Sequence, residues 1–133
     1  MKVRTLLVLA SVLGASGVLA GAFGAHALKA HVTAARLETW GTAAHYQQVH
    51  AVALLALAAW SASLGRVVAP RAAWCLLVGI LVFSGSLYTL VLSGKAAFGA
   101  ITPIGGVLLI IGWLLLAVTK PDPGPAGTDL GVS

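Results

Sequence analysis

Four long apolar stretches, at about residues 5–27, 42–64, 72–92 and 102–119, are separated only by short polar breaks. This spacing leaves the chain few ways to fold. A helix rises 1.5 Å per residue, so each stretch comes close to the ~20 residues that cross a hydrocarbon core about 30 Å thick. In lipid every backbone amide must find its partner within the protein, and a helix achieves this inside one segment. The pattern predicts an all-α integral membrane protein, a four-helix transmembrane bundle with short loops filling residues 1–120. Residues 121–133, PDPGPAGTDLGVS, are rich in Pro and Gly and read as a flexible polar tail.

Composition agrees with that reading and removes other function classes. The chain is 59% hydrophobic and only 8% charged, whereas soluble domains are about a quarter charged. Eight Lys and Arg against three acids give a formal charge of +5. These basic residues are scattered between apolar segments, without the face or stripe that a nucleic-acid reader needs. They serve orientation and headgroup contact instead. With the amino terminus inside, Lys2, Arg4, Arg66, Arg71 and Lys120 lie on the cytoplasmic side and Lys29, Arg36 and Lys95 outside, so the positive-inside rule predicts both termini cytoplasmic. The first stretch imitates a secretory signal, down to the small residues Ala20, Gly21 and Ala22, but it runs on through FGAHAL and reads as a retained helix. Cys75 is alone, which leaves no intrachain disulfide and no CxxC pair.

The second stretch opens on TAAHYQQVHA, the densest polar cluster of the chain. The uninterrupted apolar part after His50 is too short to span, covering about 18 Å of a core about 30 Å thick. His50, with Gln47 and Gln48, is therefore expected below the headgroups, and His45 nearer the surface. Helical spacing pairs His45 with Gln48 and Tyr46 with His50 on two faces. Three uses are open to these groups: bonds that hold helices together, a substrate or proton pathway, or ligation of a metal or haem, for which His50 would need His26 or another helix. No metal site and no cofactor is favoured.

The first stretch carries Gly14, Gly17, Gly21 and Gly24 in a repeat of threes and fours, one side-chain-poor stripe on which another backbone can pack closely. His26 follows at the membrane boundary. The connector at 30–41 contains RLETW, where Leu37 and Trp40 suit the interface. Glu38 is the sole acid ahead of the tail, so the spans cannot hold a two-carboxylate catalytic site. Ser84, Ser86 and Tyr88 supply hydroxyls in the third helix, and Gly105 and Gly106 permit close approach of the fourth. In ITPIGG, Thr102 is expected to cap the last helix, with Pro103 in its first turn. No GxSxG elbow, HExxH, Walker sequence or nucleotide-binding glycine loop is present.

GAFGAHAL at 21–28, LETWGTAAHYQQVHAVAL at 37–54, FSGSLY at 83–88 and TPIGG at 102–106, in this order, resemble the small membrane family called domain of unknown function 423, related to the transmembrane protein 256 group. The resemblance covers nearly all of the chain apart from the tail, with HAVAL standing where the family pattern reads HALAL. It implies a multi-pass protein of the bacterial inner membrane and assigns no reaction. The leading expectation is thus a non-enzymatic protein with a structural, accessory or assembly role, as a homo-oligomer or within a larger membrane complex. A small-solute transporter or channel formed by an oligomer, and a histidine-liganded cofactor protein, are the alternatives. The lipid bilayer is the one partner common to all three; nucleic acid is a partner in none.

Overall fold

The computed structural model describes residues 1–120, so the expected tail lies outside the described residues. Among these the fold is all-α, with four helices: α1 (Val3–His26), α2 (Ala34–Ser63), α3 (Pro70–Ser93) and α4 (Thr102–Ala117), joined by 3-10 turns at Leu28–Ala30 and Ala96–Ala100. Three segments are long and apolar enough to cross a membrane, namely Val3–Ala30, Pro70–Ser93 and Ala96–Ala117. The long α2 is not among them, because its amino-terminal half carries Arg36, Glu38 and the TAAHYQQ cluster.

Local chemistry explains where each helix begins and ends. The backbone N–H of Arg36 donates to the Thr33 hydroxyl at 3.4 Å, which caps α2. The connector expected at 30–41 is consequently short, and Ala34, Ala35, Leu37 and Glu38 belong to the helix. Polarity suggested a loop there, but these are good helix formers. Pro70 opens α3, where its missing N–H costs nothing. Gly94 closes α3 at φ +72° and Gly65 turns the chain after α2 at φ +66°, both left-handed conformations that a side chain disfavours. Thr102 is not the cap of α4; Ile101 holds that position without a side-chain bond. The Thr102 hydroxyl instead pairs with Ser86 on α3 at 2.8 Å.

The helices pack in chain order, α1 on α2, α2 on α3 and α3 on α4. Leu6 and Ala10 of α1, Leu54 and Leu57 of α2, Leu76, Leu77 and Ile80 of α3 and Leu109 of α4 form one buried cluster. Lipid tails are as apolar as leucine, so fit rather than water exclusion holds such a cluster together. The α3–α4 seam is reciprocal: a Cβ on Gly79 would lie 2.7 Å from Leu109 Cδ2, and one on Gly112 would lie 2.7 Å from Leu76 Cδ2. Each helix thus lends a missing side chain to the other's leucine. At the end of that seam Gly105 rests on the backbone of Phe83, whose Cα a Cβ would approach to 2.7 Å.

Candidate functional site

Two polar centres flank α2, one facing α1 and α3 and the other facing α4. In the first, Gln47 is buried and fully bonded. Its Nε2 donates to the Leu13 carbonyl at 2.9 Å and to the Ser16 hydroxyl at 2.8 Å, both on α1, while its Oε1 accepts from the Tyr88 hydroxyl of α3 at 2.9 Å. One amide therefore ties three helices together. Trp40, two turns earlier on the same face of α2, donates its Nε1–H to the Ala20 carbonyl at 2.7 Å and lies 4.5 Å from the Tyr88 ring. It is 7% exposed and turned into the protein, because Gly24 opens a gap for its indole: a Cβ there would lie 2.6 Å from Trp40 Cδ1. Ser84 adds a buried bond from α3 to the Ala43 carbonyl at 2.8 Å.

The stripe on α1 meets the same helix. Gly17 faces Gln47 and Gln48, Gly21 faces the Gln48 amide, and Gly14 faces Ala51. Gln48 therefore packs on α1, whereas His45 is exposed on the α4 side. The pairing of His45 with Gln48 fails because a step of three residues leaves two side chains about 60° apart around the axis, enough to give them different neighbours.

The second centre is a cleft of about 470 Å³ between α2, α3 and α4, bordered by His45, Tyr46, His50, Phe83, Gly106 and Trp113 among others. Here Tyr46 and His50 do share a face. Their rings stack at 5.8 Å and 23°, and Tyr46 stacks on Phe83 at 4.5 Å and 27°, so Tyr46 joins the other two rings. Trp113 closes the far side, its ring 6.1 Å from that of His50 and tilted by 60°. The Nδ1 of His50 lies 2.7 Å from the Tyr46 carbonyl oxygen. A carbonyl only accepts, so Nδ1 carries the proton, and in the neutral ring Nε2 is left as an acceptor.

The remaining candidates lie apart from these centres. His26 ends α1 and Glu38 sits in the early turns of α2, both exposed. The register that sets Gly24 on Trp40 and Gly14 on Ala51 places His26 beyond the level of Trp40. His50 lies ten residues further along α2, about 15 Å. A ligand bridging His26 and His50 is thereby excluded. Among the described residues no group of three or more His, Cys, Asp or Glu could hold a metal ion. Ser86 bonds the Phe83 carbonyl and Thr102, a link from α3 to the start of α4. Three contributors went unnoticed in the sequence: Ser16, Phe83 and Trp113. Of these, Phe83 had a readable signal, since a bulky ring beside FSGS needs a glycine opposite it, and TPIGG supplies one.

Comparison with known proteins identifies the family. The family described as "Protein of unknown function (DUF423)" matches residues 20–106. A UPF0382 membrane protein of Staphylococcus saprophyticus is 42% identical over 115 residues, covering 86% of this chain and 95% of the relative. Another, from Staphylococcus aureus, is 46% identical over 98 residues, 74% of this chain and 80% of the relative. The UPF0382 membrane protein YwdK of Bacillus subtilis is 39% identical over 119 residues, 89% and 95% of the two chains. No solved structure matches the chain.

Proposed function

The chain belongs to the DUF423 family and is a multi-pass bacterial membrane protein, and from that premise we propose a non-enzymatic accessory role, in which it packs within the plane of the membrane against a larger complex. The observation that carries this reading is the Gln47 amide. Its nitrogen and oxygen make three bonds to neighbouring helices, and Ser84 and Ser86 are used likewise. Polar groups that hold helices together are not free to line a path for solute.

In this reading α2 also crosses the bilayer. Its 30 residues reach about 45 Å, more than a core of about 30 Å requires, and its polar side chains turn toward protein. Both termini then face the cytoplasm of the inner membrane. The outward faces of α1 (Val8, Val12, Leu19) and α4 (Ile104, Val107, Leu114) are exposed and apolar, a surface that suits lipid or a partner's helices equally.

The test is the mass of the native particle, extracted from its own membranes in mild detergent, with identification of everything in it. A partner at fixed stoichiometry is the expected result. Repeated isolation of a folded monomer alone would remove the accessory role. A homo-oligomer with no other protein would favour the passage of a small solute between copies.

A further inference from the structure

The cleft beside His50 has no part in the accessory role, and its chemistry is specific enough to name a class of ligand. His50 is 6% exposed, yet only one of its ring nitrogens is bonded. The Tyr46 carbonyl fixes the proton on Nδ1, so the neutral ring offers Nε2 as a bare acceptor. That atom is not sealed in protein, because no fully buried side-chain nitrogen or oxygen among the described residues lacks a partner. The cleft is the opening that His50 borders.

The rest of the cleft is mostly aromatic and aliphatic, with His45 and the Tyr46 hydroxyl as its other polar groups. Tyr46 stacks on both His50 and Phe83, and the Trp113 ring meets that of His50 in a tilted contact. Gly106 keeps its part of the wall open: a Cβ there would still be 3.8 Å from the Phe83 ring. A volume of about 470 Å³ falls within the range of about 300–1,000 Å³ usual for small-molecule sites. Ile110 and Trp113 at its margin are 60% and 47% exposed, on a helix apolar enough to lie in lipid. A ligand can therefore enter sideways from the bilayer.

These features select against a plain acyl chain, which would leave the His50 acceptor unpaired in hydrocarbon at a real cost. They select for a ring that packs against this aromatic cluster and brings its own hydrogen-bond donor. We infer that the cleft between α2 and α4 binds a lipid-soluble phenol or hydroquinone, its ring among Tyr46, Phe83 and Trp113 and its hydroxyl donating to Nε2 of His50. The apolar substituent of that ring lies along Ile110 toward lipid.

The test uses the intact chain in phospholipid nanodiscs and two probes, decylhydroquinone and its dimethyl ether, which keeps the ring and chain but has no donor. Saturable binding, read by tryptophan emission against empty nanodiscs, is expected for both probes with the hydroquinone about ten-fold tighter, the equivalent of one good hydrogen bond. In His50→Phe the two probes are expected to bind within about two-fold of each other, at the affinity of the ether. Gly106→Leu, which fills the cleft, is expected to abolish saturable binding of both, with helical content and particle size unchanged. The inference is overturned by absence of saturable binding to the wild type, by equal affinities of the two probes there, by a preference that survives in a folded His50→Phe, or by undiminished binding to a folded Gly106→Leu. None of these outcomes bears on the particle mass, so this site and the accessory role stand or fall separately.

Discussion

Tyr88 of α3 donates its hydroxyl proton to Oε1 of Gln47 on α2 at 2.9 Å, while the other end of the same amide holds α1. Removing either partner strands the other in an apolar interior. Tyr88→Phe is expected to lose about 1 kcal/mol, the usual scale of an interhelical hydrogen bond in a membrane protein. Gln47→Leu should lose more, since it leaves the Tyr88 hydroxyl without an acceptor and frees α1. The informative variant is the double one. Because both partners are then apolar, Gln47→Leu with Tyr88→Phe is expected to be no less stable than Gln47→Leu alone. Unfolding in a mixed-micelle denaturant series, followed by circular dichroism, measures all three.

The glycines divide into those that touch a neighbour and those that do not. Gly105→Ala drives a methyl into the Phe83 backbone, which has no rotamer to yield. A loss of about 1–3 kcal/mol is expected, as for other overpacked sites. Gly24→Ala meets the Trp40 ring at 2.6 Å and should lose a similar amount, because the indole is held by its bond to Ala20. Gly85, also helical, has nothing within 4 Å of a Cβ. Gly85→Ala is expected to be neutral or to stabilise by up to about 1 kcal/mol. The same unfolding series ranks the three.

At Gly94 the constraint is conformational. Its φ of +72° closes α3, so Gly94→Ala is expected to destabilise by about 1–2 kcal/mol, with Gly94→Asn milder. The added methyl would also crowd the Arg36 guanidinium, 3.2 Å away, which donates to the Gly94 carbonyl. Faster tryptic cleavage after Lys95, next in the chain, is the measurement that reports this loosening.

Trp40 and Trp113 should differ in their exposure to lipid. Trp40 is 7% exposed and Trp113 47%. With brominated phospholipid in the bilayer, Trp40→Phe is expected to raise the quenched fraction of the remaining emission, since it removes a shielded ring. Trp113→Phe should lower it. A quenched fraction that falls in Trp40→Phe would place that ring at the membrane interface.

Much of this was legible in the chain, and what was not has physical reasons. Runs of apolar residues located the helices, since length and polarity alone decide what lies in hydrocarbon. They misplaced the start of α2, because RLE is polar enough to suggest a loop yet, capped by Thr33, favours helix. The stacking of Tyr46 on His50 followed from a spacing of four. Gln47 was visible as a polar group in need of a partner, but its partners were not: Leu13 offers a backbone carbonyl, which every residue has, and Ser16 looks like any small residue of α1. Trp40 suits an interfacial position by residue type, because interfacial tryptophans are common. Only the register of Gly24 against it turns the ring inward, and register between helices is a property of pairs that no single segment records.

The packing order of the helices bears on how the protein is made. Each of α2, α3 and α4 rests on the helix synthesised just before it, so each finds a partner already in the bilayer when it arrives. The connections are short, and the entropy lost in closing them is correspondingly small. The chain can leave the insertion machinery as a growing row, α1 meeting α2 before α3 exists, with the Gln47 amide engaging α1 first and receiving the Tyr88 hydroxyl afterwards. The Ser86–Thr102 pair is then the first bond of α4 to form, and it fixes where the last helix starts before Leu109 and Gly112 settle against α3.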